Sequence, residues 1–259
     1  MKGWLNALMV PTGLAVSSCQ WVLPFSQCTA DADCGVEQVC TVDQTCQSLY
    51  TEQCSTTVGP FDDPNAIRLG GVMPLSGPNQ ESGKDVLKAV TLALSEIESE
   101  GGVGGKQARP LALLACDDEG DAESGVAAAE HLVDVVGVPA IVGAAFSTVT
   151  IEVANEVAVP SGVLMLSPSA TAVAVEDLDD EGLIWSTAPS DTFQADTLGY
   201  FGAWRVLEEA QTAGTVEAVR VGVIHADDVY GEGLSADFET TLTAYLFGRD
   251  ETPNFNIQS

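Results

Sequence analysis

The sequence predicts an α/β protein with a doubly wound parallel sheet, preceded by a small disulfide-rich segment. From residue 66 onward, short apolar segments alternate with longer segments of helical periodicity. The short segments are apolar along their whole length, which is typical of parallel strands covered by helices on both faces. Before residue 55, cysteines recur among polar residues that could not form a core. An acidic segment interrupts the alternation before residue 183, so we divide this part of the chain into residues 66–187 and 188–259.

Each predicted element follows from its own pattern. The strand-like segments are residues 66–75, 109–116, 139–144, 162–166, 183–187 and 220–226. The helical segments are residues 83–99, 122–136, 147–159, 192–210 and 233–245. In the fourth helix Tyr200, Trp204 and Leu207 recur at helical spacing, and we interpret them as core packing. The last strand runs into two aspartates, Tyr230 and two glycines, which we interpret as a loop.

The N-terminus has the layout of a secretory signal peptide at residues 1–18. Lys2 precedes a mostly apolar run at residues 4–16, and small residues follow. The run is too short to span a bilayer as a helix. The sequence Val-Ser-Ser-Cys that ends at Cys19 resembles a bacterial lipobox, in which the cysteine is acylated. A lipid anchor at Cys19 is the expectation, and ordinary secretion is the alternative.

Seven cysteines indicate an oxidising compartment. If Cys19 carries lipid, the remaining number is even and all the others can pair. They contain no C-x-x-C and have no histidine nearby, which disfavours a zinc site. We predict a disulfide-stapled segment at residues 19–54, followed by a Pro-, Gly- and Ser-containing linker at residues 55–65. Cys116 is either the partner of Cys54 or a free buried thiol.

The charge of the chain limits its partners. It has 38 acidic and 9 basic residues, and its formal net charge is -29. Phosphate backbones and anionic lipid surfaces repel such a protein, so nucleic acid is not expected as a partner. Contact with a membrane is expected only through the lipid anchor.

Familiar catalytic motifs are missing from the sequence. It contains no G-x-S-x-G and no H-E-x-x-H, and its two histidines are His131 and His225. We expect His131 on a helix surface and His225 in half-buried packing at a strand end. Paired aspartates at residues 117–118 and 227–228 follow strands, where ligands bind in open parallel sheets. We predict a non-enzyme without catalytic residues, cofactor or metal. A hydrolase that uses His225 or the second aspartate pair is a further hypothesis.

Hydroxyl groups at two strand ends form a better candidate site. The strand at residues 139–144 runs into Ser147 and Thr148, and Ser147 is the natural N-cap of the next helix. The following strand runs into Ser169, Ala170 and Thr171. Neighbouring strand ends bring these hydroxyl and backbone N–H groups together. Such donors can hold a small anion, for example a carboxylate.

Several motifs in a fixed order resemble one known family. They read GGVMPLSGPNQESGKDV from Gly70, LLACDDEGD from Leu113, IVGAAFSTVT from Ile141, TAPSDTFQAD from Thr187 and VGVIHADDVYGEGL from Val221. Together they resemble the type I periplasmic solute-binding proteins of the leucine/isoleucine/valine receptor class. The resemblance runs from about residue 67 to about residue 243.

The resemblance implies two doubly wound lobes that close on an amino acid or a similar small solute. Residues 66–187 would form a complete first lobe, and residues 188–259 would form an incomplete second lobe. Such a protein, in the periplasm or at the cell surface, delivers its solute to an ABC permease driven by a separate ATPase. By position, Ser147 or Thr148 would hold the ligand carboxylate in the first lobe. The pair Ala170 and Thr171 would hold it from the neighbouring strand end. Tyr230 would reach in from a loop of the second lobe.

Two departures from the family pattern affect these expectations. An aromatic residue often precedes the glycine of S-G-P-x-x-x-x-G, where it touches the ligand side chain, and here that residue is Ser82. The aliphatic specificity of the class therefore does not follow for this chain. The second lobe is shorter than the first, so the family's acidic group for the ligand ammonium would lie beyond Ser259. The alternatives to a receptor are a surface sensory or interaction protein and a non-functional fragment.

Overall fold

The computed structural model describes residues 27–105, 108–214 and 220–247. Its strands are β1 (Gln38–Cys40), β2 (Cys46–Ser48), β3 (Cys54–Val58), β4 (Ile67–Met73), β5 (Leu111–Asp117), β6 (Ala140–Val142), β7 (Leu164–Ser167) and β8 (Ile184–Ser186). Its helices are α1 (Gln80–Ser99), α2 (Ala122–Glu130), α3 (Ser147–Val153), α4 (Val173–Glu176), α5 (Asp191–Ala213) and α6 (Val229–Phe247). π-Helical turns extend α2 over His131–Val136 and α3 over Ala154–Ala158.

A six-stranded sheet forms the centre of the first lobe, in the order β3-β5-β4-β6-β7-β8. The strands from β4 to β8 run parallel, and β3 joins the edge antiparallel to β5. Leu113 packs with α1 on one face, whereas Leu114 packs with α2 and α3 on the other. Each such buried leucine stabilises the fold by roughly 1.5–3 kcal/mol. The predicted parallel sheet between two helical layers is confirmed.

Three disulfides staple the chain near its N-terminus: Cys28–Cys40, Cys34–Cys46 and Cys54–Cys116. The third resolves the alternative left open for Cys116, which is the partner of Cys54. The signal segment and Cys19 lie outside the described residues, as do residues 248–259 at the other end.

The disulfide-rich segment is docked onto the first lobe. Arg68 of β4 forms an ion pair with Asp31 at 3.3 Å, and its guanidinium lies over the ring of Phe61. Nε2 of His131 forms a hydrogen bond with the carbonyl oxygen of Leu49 at 2.9 Å. His131 is therefore half-buried, not on an open helix surface as expected, because the stapled segment covers this end of the helix.

Part of the predicted linker belongs to the sheet. Residues 55–65 have the composition of a linker, yet Cys54–Val58 forms β3 and pairs with β5. Its threonines and Val58 are β-branched and favour extended backbone. The disulfide to Cys116 holds the first residue of this strand against β5. The turn formers that indicate a linker begin only at Gly59.

The predicted strand at residues 220–226 is not formed. Apart from a single bridge at Gly222, these residues adopt irregular structure, and the side chain of Ile224 is fully exposed. A strand needs a hydrogen-bonding neighbour, and the described residues provide none beyond that bridge. Its apolar sequence is nevertheless that of a strand buried on both faces.

Helices α5 and α6 are the described part of the second lobe, and they pack through small residues. Ala195, Gly199 and Ala203 form the buried stripe of α5, and the Thr241 hydroxyl of α6 donates to the Ala195 carbonyl at 2.9 Å. This stripe allows close helix contact. The prediction that Tyr200, Trp204 and Leu207 are core residues is wrong, since they are 56%, 54% and 43% exposed. The aromatic spacing identified an apolar face of α5, but it is the face of small residues that packs against α6.

One face of the sheet is also partly open. Leu164 and Leu166 on β7 and Trp185 on β8 are exposed. Leu166 and Trp185 are direct neighbours in the parallel ladder, so the three side chains form one apolar patch.

None of the described helices is long and apolar enough to cross a membrane.

Candidate functional site

The end of β6 is the backbone centre of the candidate site. Gly143 has a φ of 139°, and a Cβ there would lie 2.1 Å from the Val72 carbonyl oxygen, so only glycine fits. The next carbonyl, of Ala144, accepts hydrogen bonds from the hydroxyls of Thr150 at 3.1 Å and Ser167 at 2.7 Å. These bonds join the end of β6 to α3 and to the end of β7.

Ser147 links the two strand ends, but it is not the helix cap that the sequence predicts. Phe146 occupies the N-cap position of α3 without a side-chain cap bond. The buried Ser147 hydroxyl instead accepts N–H bonds from Thr171 and Ala172, each at 3.3 Å. The loop after β7 lies so close that its N–H groups, and not those of α3, donate to the Ser147 hydroxyl oxygen. The hydroxyl still has its own proton to donate.

The loop after β7 is held by its own serines. The Ser167 oxygen accepts the N–H of Ala170 at 2.9 Å, and the Ser169 hydroxyl donates to the carbonyl of Ala145 at 2.6 Å. Ala170 is 1% exposed, while Thr171 and Thr148 are half-buried. Ser169 and Ala170 therefore shape the loop, whereas the two threonines remain near the surface of the site.

Tyr230 lies in the first turn of α6 and not in a loop. Asp228 caps this turn, since its Oδ1 accepts the N–H of Gly231 at 2.7 Å. A Cβ at Gly231 would lie 2.2 Å from the Ala226 carbonyl oxygen. This glycine thus permits close packing of the preceding chain on the helix. The interpretation of the segment around Tyr230 as a loop is wrong, because the helix already begins at Val229. An aspartate before a helical pattern, read as an N-cap, could have indicated this start.

The first turn of α6 faces the hydroxyl loop. Val229 packs against the cluster that contains Ala170, Ala172 and Val175. The adjacent Tyr230 is half-buried, and its hydroxyl oxygen accepts a hydrogen bond from Gln194 Nε2 of α5 at 3.1 Å. The predicted residues of the first lobe and Tyr230 therefore come to the same region of the molecule.

The paired aspartates have structural partners. Oδ1 of Asp117 accepts N–H bonds from Leu75, Ser76 and Glu119, and Oδ1 of Asp118 accepts one from Gly120. These bonds organise the loops that follow β4 and β5.

The second pair and its histidine lack the features of a hydrolase centre. Asp227 is exposed, and Asp228 caps α6. His225 is exposed, not half-buried as expected, because the segment around it forms no strand. Its Nδ1 contacts the Ala226 carbonyl oxygen at 2.9 Å.

One cluster of sulfur atoms lies close enough for metal binding. The Sγ atoms of Cys28, Cys34 and Cys40 lie within 4.8 Å of one another. All three take part in disulfides, so no thiolate is available as a ligand.

Asp191 is a buried acid beside the candidate site that the sequence did not single out. It begins α5 directly after the N-cap Ser190, is 1% exposed, and donates its N–H to the carbonyl of Thr171 at 2.8 Å. The Ser-Asp pair at the start of a helix was a visible signal, but such pairs usually only cap helices.

The fold is of the α/β kind, with polar strand ends of the first lobe beneath the start of α6. Comparison with known proteins specifies the family. The model of the periplasmic binding protein family matches residues 66–248, and the chain belongs to this family. The predicted type I periplasmic binding protein fold is thereby confirmed. The family is a class of solute-binding proteins, which agrees with the expectation of a non-enzyme.

Curated relatives and a solved structure each match 68–70% of the chain. The Leu/Ile/Val-binding protein BraC3 of Rhizobium johnstonii is 33% identical over 180 residues, which cover 69% of this chain and 44% of that protein. The Leu/Ile/Val-binding protein homolog 3 of Brucella melitensis is 31% identical over 178 residues, covering 68% and 44%. An ABC transporter substrate-binding protein of Desulfitobacterium hafniense in complex with Leu is 29% identical, with a TM-score of 0.55, covering 70% and 48%. The chain thus spans less than half the length of each relative.

Proposed function

We propose that this chain is an exported solute-binding protein that binds an amino acid or a similar small polar solute for uptake by an ABC permease. The observation that carries the proposal is the meeting of two polar strand ends beneath the tyrosine-bearing turn of α6. The names of the curated relatives and the leucine bound in the Desulfitobacterium hafniense structure support an amino acid as the solute.

In this proposal the hydroxyl groups hold the solute carboxylate. Ser147, Thr148 and Thr171 donate to it, and Tyr230 closes over the solute from α6. Ser169 and Ala170 keep the loop in place through the bonds described above. No covalent chemistry is part of this function.

The location and domain division belong to the same proposal. Residues 1–18 direct export, and Cys19 carries the lipid that anchors the protein in the periplasm or at the cell surface. The stapled segment at residues 19–54 and the following residues up to 65 then separate the anchor from the lobes. The docking of the stapled segment on β4 supports a short connection to the membrane.

Isothermal titration calorimetry of the purified chain with a panel of amino acids tests the proposal. We expect saturable binding of one or a few of them. Heat changes that never saturate for any member of the panel would contradict the proposed function.

Ser147→Ala is expected to weaken solute binding roughly 10- to 100-fold, because it removes a donor and leaves two loop N–H groups without their acceptor. Calorimetric titration measures the affinity. Ser95→Ala is the matched control, since that hydroxyl donates to Leu92 on the exposed surface of α1. Equal affinities for the two variants would contradict a binding role of Ser147.

A surface sensory or interaction protein is the second candidate function. It is favoured by the two exposed apolar surfaces, namely Leu164, Leu166 and Trp185 on the sheet and the aromatic face of α5. Failure of the amino acid titration would favour this role or a non-functional fragment. Saturation by a single solute would argue against both.

A further inference from the structure

Asp118 is a buried acid that lies outside the hydroxyl site. The residue is 0% exposed, and its Oδ1 accepts the Gly120 N–H at 2.8 Å, while Oδ2 has no hydrogen-bond partner among the described residues. Buried polar atoms are normally hydrogen-bonded, and a buried charge without a counterion is costly. The protonation state of Asp118 therefore affects how well the surrounding elements pack.

Asp118 lies beside the contact between α2 and α3. A Cβ on Gly125 of α2 would collide with Cγ1 of Val149 on α3, and it would lie 3.7 Å from the Cβ atom of Asp118. Neither Gly125 nor Val149 titrates, so these helices offer no charge to balance the carboxylate. The first turn of α3 carries Ser147. A charge on Asp118 thus disfavours the close helix packing that positions this hydroxyl.

The turn after Asp118 reaches the start of the same helix. The Gly120 N–H donates to the Asp118 side chain at 2.8 Å, and the Asp121 N–H donates to the Asp118 carbonyl oxygen at 2.8 Å. Gly120 lies against Phe146, since a Cβ there would be 3.5 Å from the Phe146 ring. Phe146 is the N-cap residue of α3 and directly precedes Ser147. This turn therefore supports the residue at which α3 begins.

The charged groups that act on Asp118 are acids. Burial is the main cause that raises the pKa of Asp118 to about 6, the Gly120 N–H opposes it, and the charges of Asp117 and Asp121 add to it. From β4 the neighbouring group is the Met73 carbonyl oxygen, which accepts the Asp118 N–H at 3.2 Å and does not titrate. None of these neighbours is a base, so the ionised form has no counterion among them.

We propose that Asp118 is a positioning residue for the solute site, which holds the start of α3 in its binding form while protonated and loosens it when ionised. This inference rests on the proposed function, because the start of α3 is where the solute carboxylate is held. Solute affinity is therefore higher in mildly acidic solution than at neutral pH. The coupling is reciprocal, so bound solute strengthens the binding of the proton to Asp118.

Calorimetric titration with L-leucine at several pH values tests the effect on binding. Affinity is expected to fall about 5- to 10-fold between about pH 5 and about pH 8, in the lower part of the usual range of coupling between two sites. Titrations at about pH 6.5 in buffers of different ionisation enthalpy measure proton uptake. We expect up to about half a proton to be taken up per leucine bound, as linkage requires for such a change in affinity.

Substitution of Asp118 assigns the pH dependence to this side chain. Asp118→Asn keeps the shape of the group but cannot ionise, so we expect a flat pH profile of leucine affinity and no proton uptake. Glu119→Gln is the matched control, since it removes a negative charge from an exposed side chain of the same turn. It is expected to retain the pH profile and the proton uptake of the wild type.

Hydrogen exchange of the free protein tests the coupling without a solute. At neutral pH, amides at the start of α3 are expected to exchange at least about 3-fold faster in the wild type than in Asp118→Asn, after normalisation to the amides of β4. The normalisation removes a difference in global stability between the two proteins. At about pH 5 the protonated wild type and the variant are expected to exchange alike.

The outcomes separate the inference from the proposed function. Leucine affinity that does not change with pH, or the same profile for wild type and Asp118→Asn, would overturn the role of Asp118 and leave solute binding in place. Equal changes of exchange in α3 and β4 would also overturn it, because Asp118 would then affect only global stability. If no amino acid of the panel binds, the proposed function fails and hydrogen exchange decides the role of Asp118. If circular dichroism shows that Asp118→Asn does not fold, the pH profile and proton uptake of the wild type decide.

Discussion

Joint replacement of Cys54 and Cys116 by alanine is expected to lower the free energy of unfolding by about 4 kcal/mol. The disulfide joins residues 62 positions apart, and a cross-link across a long loop removes much conformational entropy from the unfolded chain. Both cysteines are fully buried between β3 and β5, so the loss affects the central sheet. Urea unfolding of the oxidised protein, followed by far-UV circular dichroism, measures the change.

The disulfide between Cys34 and Cys46 provides the control. It spans only 12 positions and lies at the hairpin of β1 and β2, outside the central sheet. Its joint replacement by alanine is expected to cause a smaller loss, confined to the stapled segment. If this variant and the Cys54/Cys116 variant unfolded at the same urea concentration as the wild type, the sheet would not depend on its covalent edge.

Asp118→Asn is expected to stabilise the protein near neutral pH by up to about 3 kcal/mol. Burial raises the pKa of Asp118 to about 6, although the bond from the Gly120 N–H lowers it, and the charges of Asp117 and Asp121 raise it further. Its second oxygen, Oδ2, has no partner among the described residues. The folded protein therefore favours the protonated acid, and an amide of the same shape avoids the buried charge.

The sign of the pH dependence follows from these values. The ordinary pKa of aspartic acid is 3.8, so the folded chain holds a proton that the unfolded chain releases between about pH 4 and 6. The stability of the wild type is then lost as pH rises through this window, and the advantage of the Asn variant grows in parallel. Urea unfolding at several pH values measures both. An advantage that stays constant from pH 4 upward would show that charge is not its cause.

The neighbouring Asp117 should behave in the opposite way. Burial disfavours its charge, but hydrogen bonds from Ser76, Glu119 and Leu75 outweigh burial and lower its pKa. Its contribution to stability is present above its ordinary pKa and is lost as pH falls toward the lowered value. Asp117→Asn is thus expected to destabilise the protein near neutral pH, which makes it a useful counterpart to Asp118→Asn.

The sheet and its helices were predictable because burial on both faces leaves a strong pattern. Strands such as β5 are apolar throughout, since Leu113 and Leu114 face opposite layers. The hydroxyl loops were predictable for a related reason, because parallel strands end at the same edge of the sheet. Disulfide partners were not, since cysteine spacing does not determine which cysteines meet in space.

The errors have physical causes in tertiary contacts. The close approach of the 170–172 loop determines whether the hydroxyl of Ser147 caps its helix, and this contact is not local in sequence. Tyr200 and Trp204 lie on an apolar face of α5, but apolar spacing does not say which face meets α6. Asp191 escaped notice because its burial depends on packing around α5, while its sequence is that of an ordinary helix start.

The disulfide at the start of β3 also determines how tension would travel through the molecule. A pull on the N-terminal segment reaches Cys54 before it reaches the hydrogen bonds between β3 and β5. The covalent bond passes that tension directly to Cys116 within the sheet. The rest of β3 then bears little of the tension, and the hydrogen bonds between β3 and β5 are not broken one after another. The lobe can therefore be tethered from its N-terminal side without the tether peeling its sheet apart.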